Sequence, residues 1–319
     1  MRELSRPAKN EEAYLTVLYL MYPNGNGYKK DKPIRELKGI LSRLDCKKQI
    51  IYINNRAKEN YECKISENEW EISGDNSCLE FSGWQKGVDF VKAINLPCDA
   101  FIFVNDMFLH RSFIHRSLIN QKTVERAINN NAMIGWQMRL PLSGKIMGND
   151  VIPYLRTHIF VIPKIILDSL GSVVTINQEA AKRFFIPEYD PSQRLLRCDA
   201  PLSKEMSDFI FSYVTSKWHN KKPYTRENFE SLRNKAASIL NSFLLSIRVE
   251  QLGYPLLSFG NSKLSFFQAP CLFQSHQAPV NQFWLRNLLF YRYLPEKKPT
   301  FSWRNFKNIL EKQFIPAHL

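Results

Sequence analysis

The sequence predicts an α/β fold: a mostly parallel sheet flanked by helices, with a more helical C-terminal region. Three observations predict it. Short apolar runs of strand length alternate with stretches of helical periodicity. The first strand, helix and strand follow one another through short connections, a βαβ unit that implies a parallel pair. Three strands then close on polar residues, Asn54-Asn55, Asp75-Asn76 and Asn105-Asp106. In an open α/β sheet ligands sit outside the carboxyl ends of the strands. Asn and Asp also favour turns, so a single polar strand end says little. Three in succession mark one edge of the sheet as the expected site.

Tyr14 to Pro23 (YLTVLYLMYP) is the first strand, ended by Pro23 and the turn Asn24-Gly25-Asn26-Gly27. Pro33 opens a helix at its favoured first position, with Ile34, Leu37, Leu41 and Leu44 on one apolar face. Gln49 to Asn55 is the second strand. Glu69 to Ile72 is a short third strand running into Ser73-Gly74-Asp75-Asn76. Ser82 is a candidate N-cap for a helix whose buried stripe is Trp84, Val88, Val91 and Ile94. Phe101 to Val104 is too short for a helix and apolar throughout, a strand buried on both faces.

Asn129 to Asn131 form a turn, Ala132 to Met138 a further strand and Gly144 to Asp150 a flexible loop. Tyr154 to Pro163 is a buried run that includes Arg156 and His158. Ser203 caps a helix through Trp218. Thr225 caps a long one from Arg226 to Leu252, with Phe229, Leu232, Ala236, Leu240, Phe243 and Ile247 on one face and Gly253 as its stop. Residues 255–280 read as irregular. The regions expected are therefore 1–140, 141–280 and a tail at 281–319.

Composition excludes some classes. A hydrophobic fraction of 44% is ample for a packed core and rules out a disordered chain. The opening MRELSRPAKNEEAY lacks the apolar core of a signal peptide. The apolar stretch from Ile159 to Ile176 is broken by Lys164, Asp168 and Gly171, so it does not read as a membrane span. The six cysteines contain no CxxC pair, which excludes a zinc spacing and leaves reduced thiols in a cytoplasmic protein. The net charge is +14, of which +9 falls beyond residue 200, and such a balance suits an anionic partner. Nine aromatics and seven Lys or Arg crowd residues 281–319, a pattern that fits peripheral contact with an anionic membrane surface or a helix packed on its own domain. A nucleic-acid groove is disfavoured because no recognition module is present.

Asp106 ends the most apolar strand, where a carboxylate could hold a divalent metal against phosphates. With this motif in view, LTVLYLMYP, INN, GDNSCLEFSGWQKG and FIFVND together resemble, in that order, the nucleotide-sugar-binding half of GT-A-fold glycosyltransferases. The likeness is to the family-two-like enzymes of bacterial surface-polysaccharide synthesis and covers the first 140 residues. It implies a GT-A-like, Rossmann-like sheet and a nucleotide-sugar donor. Tyr22, Pro23, Asn54, Asn55, Asp75, Asn76, Trp84 and Asn105 would then line the donor pocket. Asp106 would be the carboxylate for Mn²⁺ or Mg²⁺. One acid stands here where the family's metal motif has two, and Asn55 stands where many relatives carry an acid.

The implied reaction is sugar transfer to a hydroxyl of a glycan or lipid-linked saccharide, at the inner face of the cell membrane. Inversion would need a carboxylate to take the acceptor's proton: Asp199 is the first candidate and Asp150 the second, with His158 as a further residue that could touch substrate. A nucleotidyltransferase-like enzyme and a basic, non-catalytic RNA-binding protein remain as alternatives. Against the former, no GxxxxGK or GxGxxG loop is present.

Overall fold

The computed structural model describes residues 13–22, 31–105, 108, 118–138, 140, 143–151, 153–217 and 222–259. All belong to one compact unit, Met1–Cys271. In chain order the first half comprises β1 (Tyr14–Met21), α1 (Asp31–Leu41), β2 (Lys47–Asn54), β3 (Glu62–Ser66), β4 (Glu69–Ser73), α2 (Glu80–Ala93), β5 (Ala100–Asn105), α3 (Gln121–Asn129) and β6 (Met133–Met138). Then come β7 (Lys145–Ile146), β8 (Asn149–Asp150), β9 (Tyr154–Pro163), α4 (Lys164–Leu170), α5 (Gln178–Ala181), α6 (Lys204–Ser212), a π-helical turn (Tyr213–Lys217), α7 (Phe229–Gln251) and β10 (Leu256–Ser258).

Eight strands form one sheet in the order β10-β6-β9-β5-β1-β2-β4-β3. β1 pairs in parallel with both β2 and β5, and β2 with β4. β9 runs antiparallel to both β5 and β6, so β6 regains the common direction, and β10 follows it. β3 is the other reversed strand, at the far edge. This is the mixed, mostly parallel α/β sheet of Rossmann-like type that the strand–helix alternation predicts. Its helices gather toward the C-terminal side.

Side-chain alternation gives the sheet two cores, as strands buried on both faces require. On one face Val17, Tyr19, Ile102, Val104 and Val161 pack under Leu37 and Ile40 of α1 and Val124 of α3. On the other, Leu18, Leu20, Ile53, Phe103 and Phe160 pack under Trp84 and Val88 of α2, Ile166 of α4 and Leu245 of α7. The second core is aromatic at its centre: Phe103 and Phe160 stack at 4.7 Å, and Trp84 meets them edge-on at 5.5 and 5.7 Å. Such offset and edge contacts add about 0.5–1.5 kcal/mol each beyond area burial.

Several expectations need correcting. Ser82 lies inside α2, and its hydroxyl accepts from the Cys78 amide (2.9 Å) and donates to the Asp75 carbonyl (2.7 Å), bracing the loop that precedes the helix. Ile94 lies past the helix and is 39% exposed, because the buried stripe stops at Val91. Gly144 to Asp150 is the β7–β8 hairpin, and residues 256–258, within the stretch read as irregular, add β10 to the sheet. β9 and β10, beyond residue 140, both join the sheet. α7 ends as predicted: Gly253 takes φ +82°, and the amides of Gly253 and Tyr254 return to Glu250 and Val249. The tail at 281–319 lies outside the described residues.

Candidate functional site

From β1 the chain steps through β2 to β4 on one side, then crosses back to place β5 on the other side of β1. That reversal is a topological switch point, and the crevice it opens at the carboxyl ends of β1 and β5 is where doubly wound sheets take ligands. The register aligns the polar strand ends in one row. Leu20 stands opposite Asn105, Met21 opposite Asn54, and Asn54 opposite Ser73. Tyr22, half-buried one residue past β1, continues this edge. Pro23, expected in the donor pocket, and Asp106, expected to hold the metal, lie outside the described residues.

The asparagines on this edge build its walls. Asn54 donates to Glu71 Oε1 (2.8 Å) and accepts from the Arg56 amide (3.0 Å). Asn55 and Asn76 clasp each other: Asn55 Nδ2 donates to Asn76 Oδ1, and Asn76 Nδ2 donates to the Asn55 carbonyl, both at 2.8 Å. Asn55 is nearly buried, and its Oδ1 has no hydrogen-bond partner among the described residues. It lies where a Cβ on Gly74 would sit, 1.7 Å from the ideal position, and 3.2 Å from that of Gly83. Those two glycines let the carboxamide in. Asp75 accepts from the Ser77 amide at 2.6 Å and is otherwise exposed.

Trp84 is fully buried, with Nε1 donating to the Val104 carbonyl at 3.4 Å. This corrects its expected place on the donor surface: an indole in the aromatic core supports β5 from behind and presents nothing to a ligand. Lys86, which the sequence reading passed over, reaches from α2 to Ser73 Oγ at 2.8 Å and brings a cation to the end of β4. Asn105 is buried at the end of β5. His158 stands on β9 one step beyond the Val104–Ile159 pair, hence beside Asn105, where an irregularity interrupts the β6–β9 pairing. Irregularities of this kind re-aim side chains next to active sites.

The two carboxylates proposed as bases sit on neighbouring structure at the same edge. Asp150 closes the β7–β8 hairpin, which connects the carboxyl end of β6 to β9; its carboxylate is well exposed, 3.8 Å from Lys145 Nζ. Asp199 belongs to a segment bolted to that hairpin: Leu202 bridges Ile146, and the Met147 amide donates to the Pro201 carbonyl at 2.7 Å. Both oxygens of Asp199 are taken by Arg197, at 2.8 Å each. That hydrogen-bonded guanidinium holds the carboxyl below its usual range, which makes Asp199 a poorer base than a free aspartate.

Asp199 and Arg197 also line an open cleft of about 610 Å³, with Lys182, Arg183, Glu179 and Asn177 among its other walls. The loop from Ser172 to Ile176 that leads into it is held from two sides. Gln85 of α2 accepts from the Val173 amide, and Cys78 contacts the Ile176 carbonyl. From α7, Asn241 accepts from the amides of Thr175 and Ile176, and Arg248 donates to the carbonyls of Leu170 and Ser172. No periodic pattern announces these polar ties, which is why the sequence did not reveal the cleft.

Among the described residues no group of three or more His, Cys, Asp or Glu could hold a metal ion. They therefore do not by themselves build the Mn²⁺ or Mg²⁺ site expected around Asp106. Among the same residues no helix is long and apolar enough to cross a membrane. No protein-family model matches the chain, and no curated protein matches it. A solved structure of 4-diphosphocytidyl-2C-methyl-D-erythritol synthase aligns with 88% of this chain and 99% of its own at 11% identity, with a TM-score of 0.28. A superposition of that quality bears on neither activity nor site. What the fold and the edge define is an α/β sheet protein with polar strand ends aligned at its switch point.

Proposed function

We propose that this protein is a glycosyltransferase that moves a sugar from a nucleotide-sugar donor to a hydroxyl of a glycan or lipid-linked saccharide. The observation that carries the reading is the convergence of Tyr22, Asn54, Asn55, Asp75, Asn76 and Asn105 on the carboxyl edge at the switch point. The order of motifs that resembles GT-A enzymes falls on that edge. The donor would lie across the ends of β1, β2 and β5, its base toward the Asn55–Asn76 clasp.

In the transfer the acceptor oxygen bonds to the anomeric carbon, the bond to the diphosphate breaks, and the nucleoside diphosphate leaves with the electron pair. The acceptor's proton goes to a carboxylate if configuration inverts. Asp150 has the looser partner of the two candidates. Asp199 would first have to release Arg197. His158, which the β5–β9 register puts beside Asn105, would touch donor or acceptor. Asp106, the carboxylate that the resemblance assigns to Mn²⁺ or Mg²⁺, lies outside the described residues.

The test is a thermal-shift panel of UDP-, GDP-, CMP- and dTDP-sugars, with and without Mn²⁺ or Mg²⁺, on the wild type and Asp106→Ala. A ligand at a hundred times its dissociation constant stabilises by about 2.7 kcal/mol. A shift confined to one nucleotide class, followed by release of nucleoside diphosphate in the presence of acceptor, is the expected result. Release of pyrophosphate instead would move the assignment to nucleotidyl transfer, and no shift with any donor would sink the enzyme reading. Loss of the shift both in Asp106→Ala and without metal would place the ion at that residue. Peripheral membrane contact belongs to the same proposal, and co-sedimentation of the full chain with anionic but not neutral vesicles is its expected sign.

A further inference from the structure

The cleft beside the crevice has a chemistry of its own. One wall is the α5 segment, anchored through Ile176 to Cys78 just after the end of β4. The other is the Arg197–Pro201 segment, anchored through Leu202 to the β7–β8 hairpin. Both anchors are at the carboxyl edge, so the cleft flanks the place proposed for the donor.

Three cations and two carboxylates line it. Each carboxylate is already matched, Glu179 with Lys182 at 2.5 Å and Asp199 with Arg197 in a two-point pair. The Arg183 guanidinium has no partner among the described residues and is exposed to the cleft. One cation is thus left over. Asn177 spends its Oδ1 on capping α5 and keeps its amide donors. Ala180 and Pro201 supply small apolar surfaces.

We infer that this cleft binds an anionic saccharide, a sugar carrying a phosphate or carboxylate that Arg183 takes through two parallel hydrogen bonds, with Asn177 meeting a hydroxyl. The described lining contains no aromatic ring for a nucleobase to stack on. It is also too open for an acyl chain. Calling the bound saccharide the acceptor rests on the transferase reading; the binding itself does not.

The experiment is calorimetric titration of the full chain with glucose 1-phosphate, glucuronic acid, inorganic phosphate and glucose. Each titration is repeated with saturating nucleoside diphosphate, to keep probes out of the donor crevice. It is carried out on wild type, Arg183→Gln and Arg183→Lys. The expected result is that both anionic sugars bind the wild type, at least tenfold more weakly to Arg183→Gln and intermediately to Arg183→Lys, while glucose binds all three alike. A preference for one anionic sugar identifies the anion, and phosphate binding as well as glucose 1-phosphate does would overturn the saccharide. Equal affinities in wild type and Arg183→Gln would overturn the site. Nucleotide-sugar shifts in Arg183→Gln are expected to equal those of wild type, so a lost anion site and a failed donor reading give different results. Arg183-dependent anionic-sugar binding in a protein that binds no donor would support the cleft and remove its role as acceptor site.

Discussion

Replacing Gly74 by Ala is the sharpest perturbation of the crevice wall. The new methyl would meet Asn55 Oδ1 at 1.7 Å, its Cγ at 2.7 Å and its backbone Cα at 3.0 Å. The first two contacts can be relieved only by swinging the carboxamide away, which breaks its 2.8 Å bond to Asn76 Oδ1. The third involves main chain and cannot be relieved by a rotamer change. Overpacking a filled site costs about 1–3 kcal/mol, and the lost hydrogen bond adds about 1 kcal/mol. Gly74→Ala should therefore destabilise by roughly 2–4 kcal/mol. Urea unfolding followed by fluorescence and circular dichroism would measure it. A double-mutant cycle with Asn55→Ala tests the cause, because removing the carboxamide clears most of the space. The two changes should then couple by at least ~1 kcal/mol, with the double variant less damaged than the sum. Gly74→Ala within ~0.5 kcal/mol of wild type, the range of innocuous surface changes, would refute the steric account, as would strict additivity.

Three further outcomes follow from groups described above. Asn241→Ala removes a fully buried carboxamide and strands the amides of Thr175 and Ile176, so it should cost about 2–4 kcal/mol and speed hydrogen exchange across residues 172–176. Arg197 holds the Asp199 carboxyl below its ordinary value. A depressed folded-state pKa means the pair is fully formed above the ordinary carboxylate value and is lost as pH falls through the lowered one; carboxyl NMR should show that late titration, and Arg197→Gln should return it to the ordinary range. Burial pushes the Cys98 thiol up to about 12. At pH 8 Ellman's reagent should therefore modify the exposed Cys63 and Cys198 quickly and leave Cys98 untouched until the protein unfolds.

The parallel half of the fold was legible because strands buried on both faces are written as unbroken apolar runs. LTVLYLM, IIYI and FIFV could hardly sit elsewhere than in the middle of a sheet. The long α7 showed its apolar face and its glycine stop. β3 was illegible: its five residues are all exposed, so the alternation of Cys63 and Ile65 with polar neighbours faces no core. The same holds for β7, β8 and β10, two or three residues each, which exist through tertiary pairing. At the site, three polar strand ends correctly pointed to one edge. Their residue types did not reveal that Asn55 and Asn76 would bond to each other, whereas Trp84 faces inward as the apolar stripe of its helix requires. Gly74 and Gly83 could have hinted at a close approach, but no local pattern says that Asn55 is what approaches. The cleft depends on contacts between residues far apart in the chain, such as Cys78 with Ile176 and Arg248 with Leu170.

The reversed strand β9 also bears on how the chain is made. β5 is flanked by β1 and β9, and β9 is synthesised only after α3, β6 and the hairpin. While the ribosome works through that interval, one side of Phe101 to Val104 has no native neighbour. It presents unpaired amides and carbonyls beside bare aromatic surface, a template for misassembly. β6 cannot occupy the place correctly, because it runs parallel to β5 and the gap is filled by an antiparallel strand. Central-sheet formation is thus a late, non-local event with a slow closing step. The yield of native protein should depend on what shields that nascent edge until Tyr154 to Pro163 emerges.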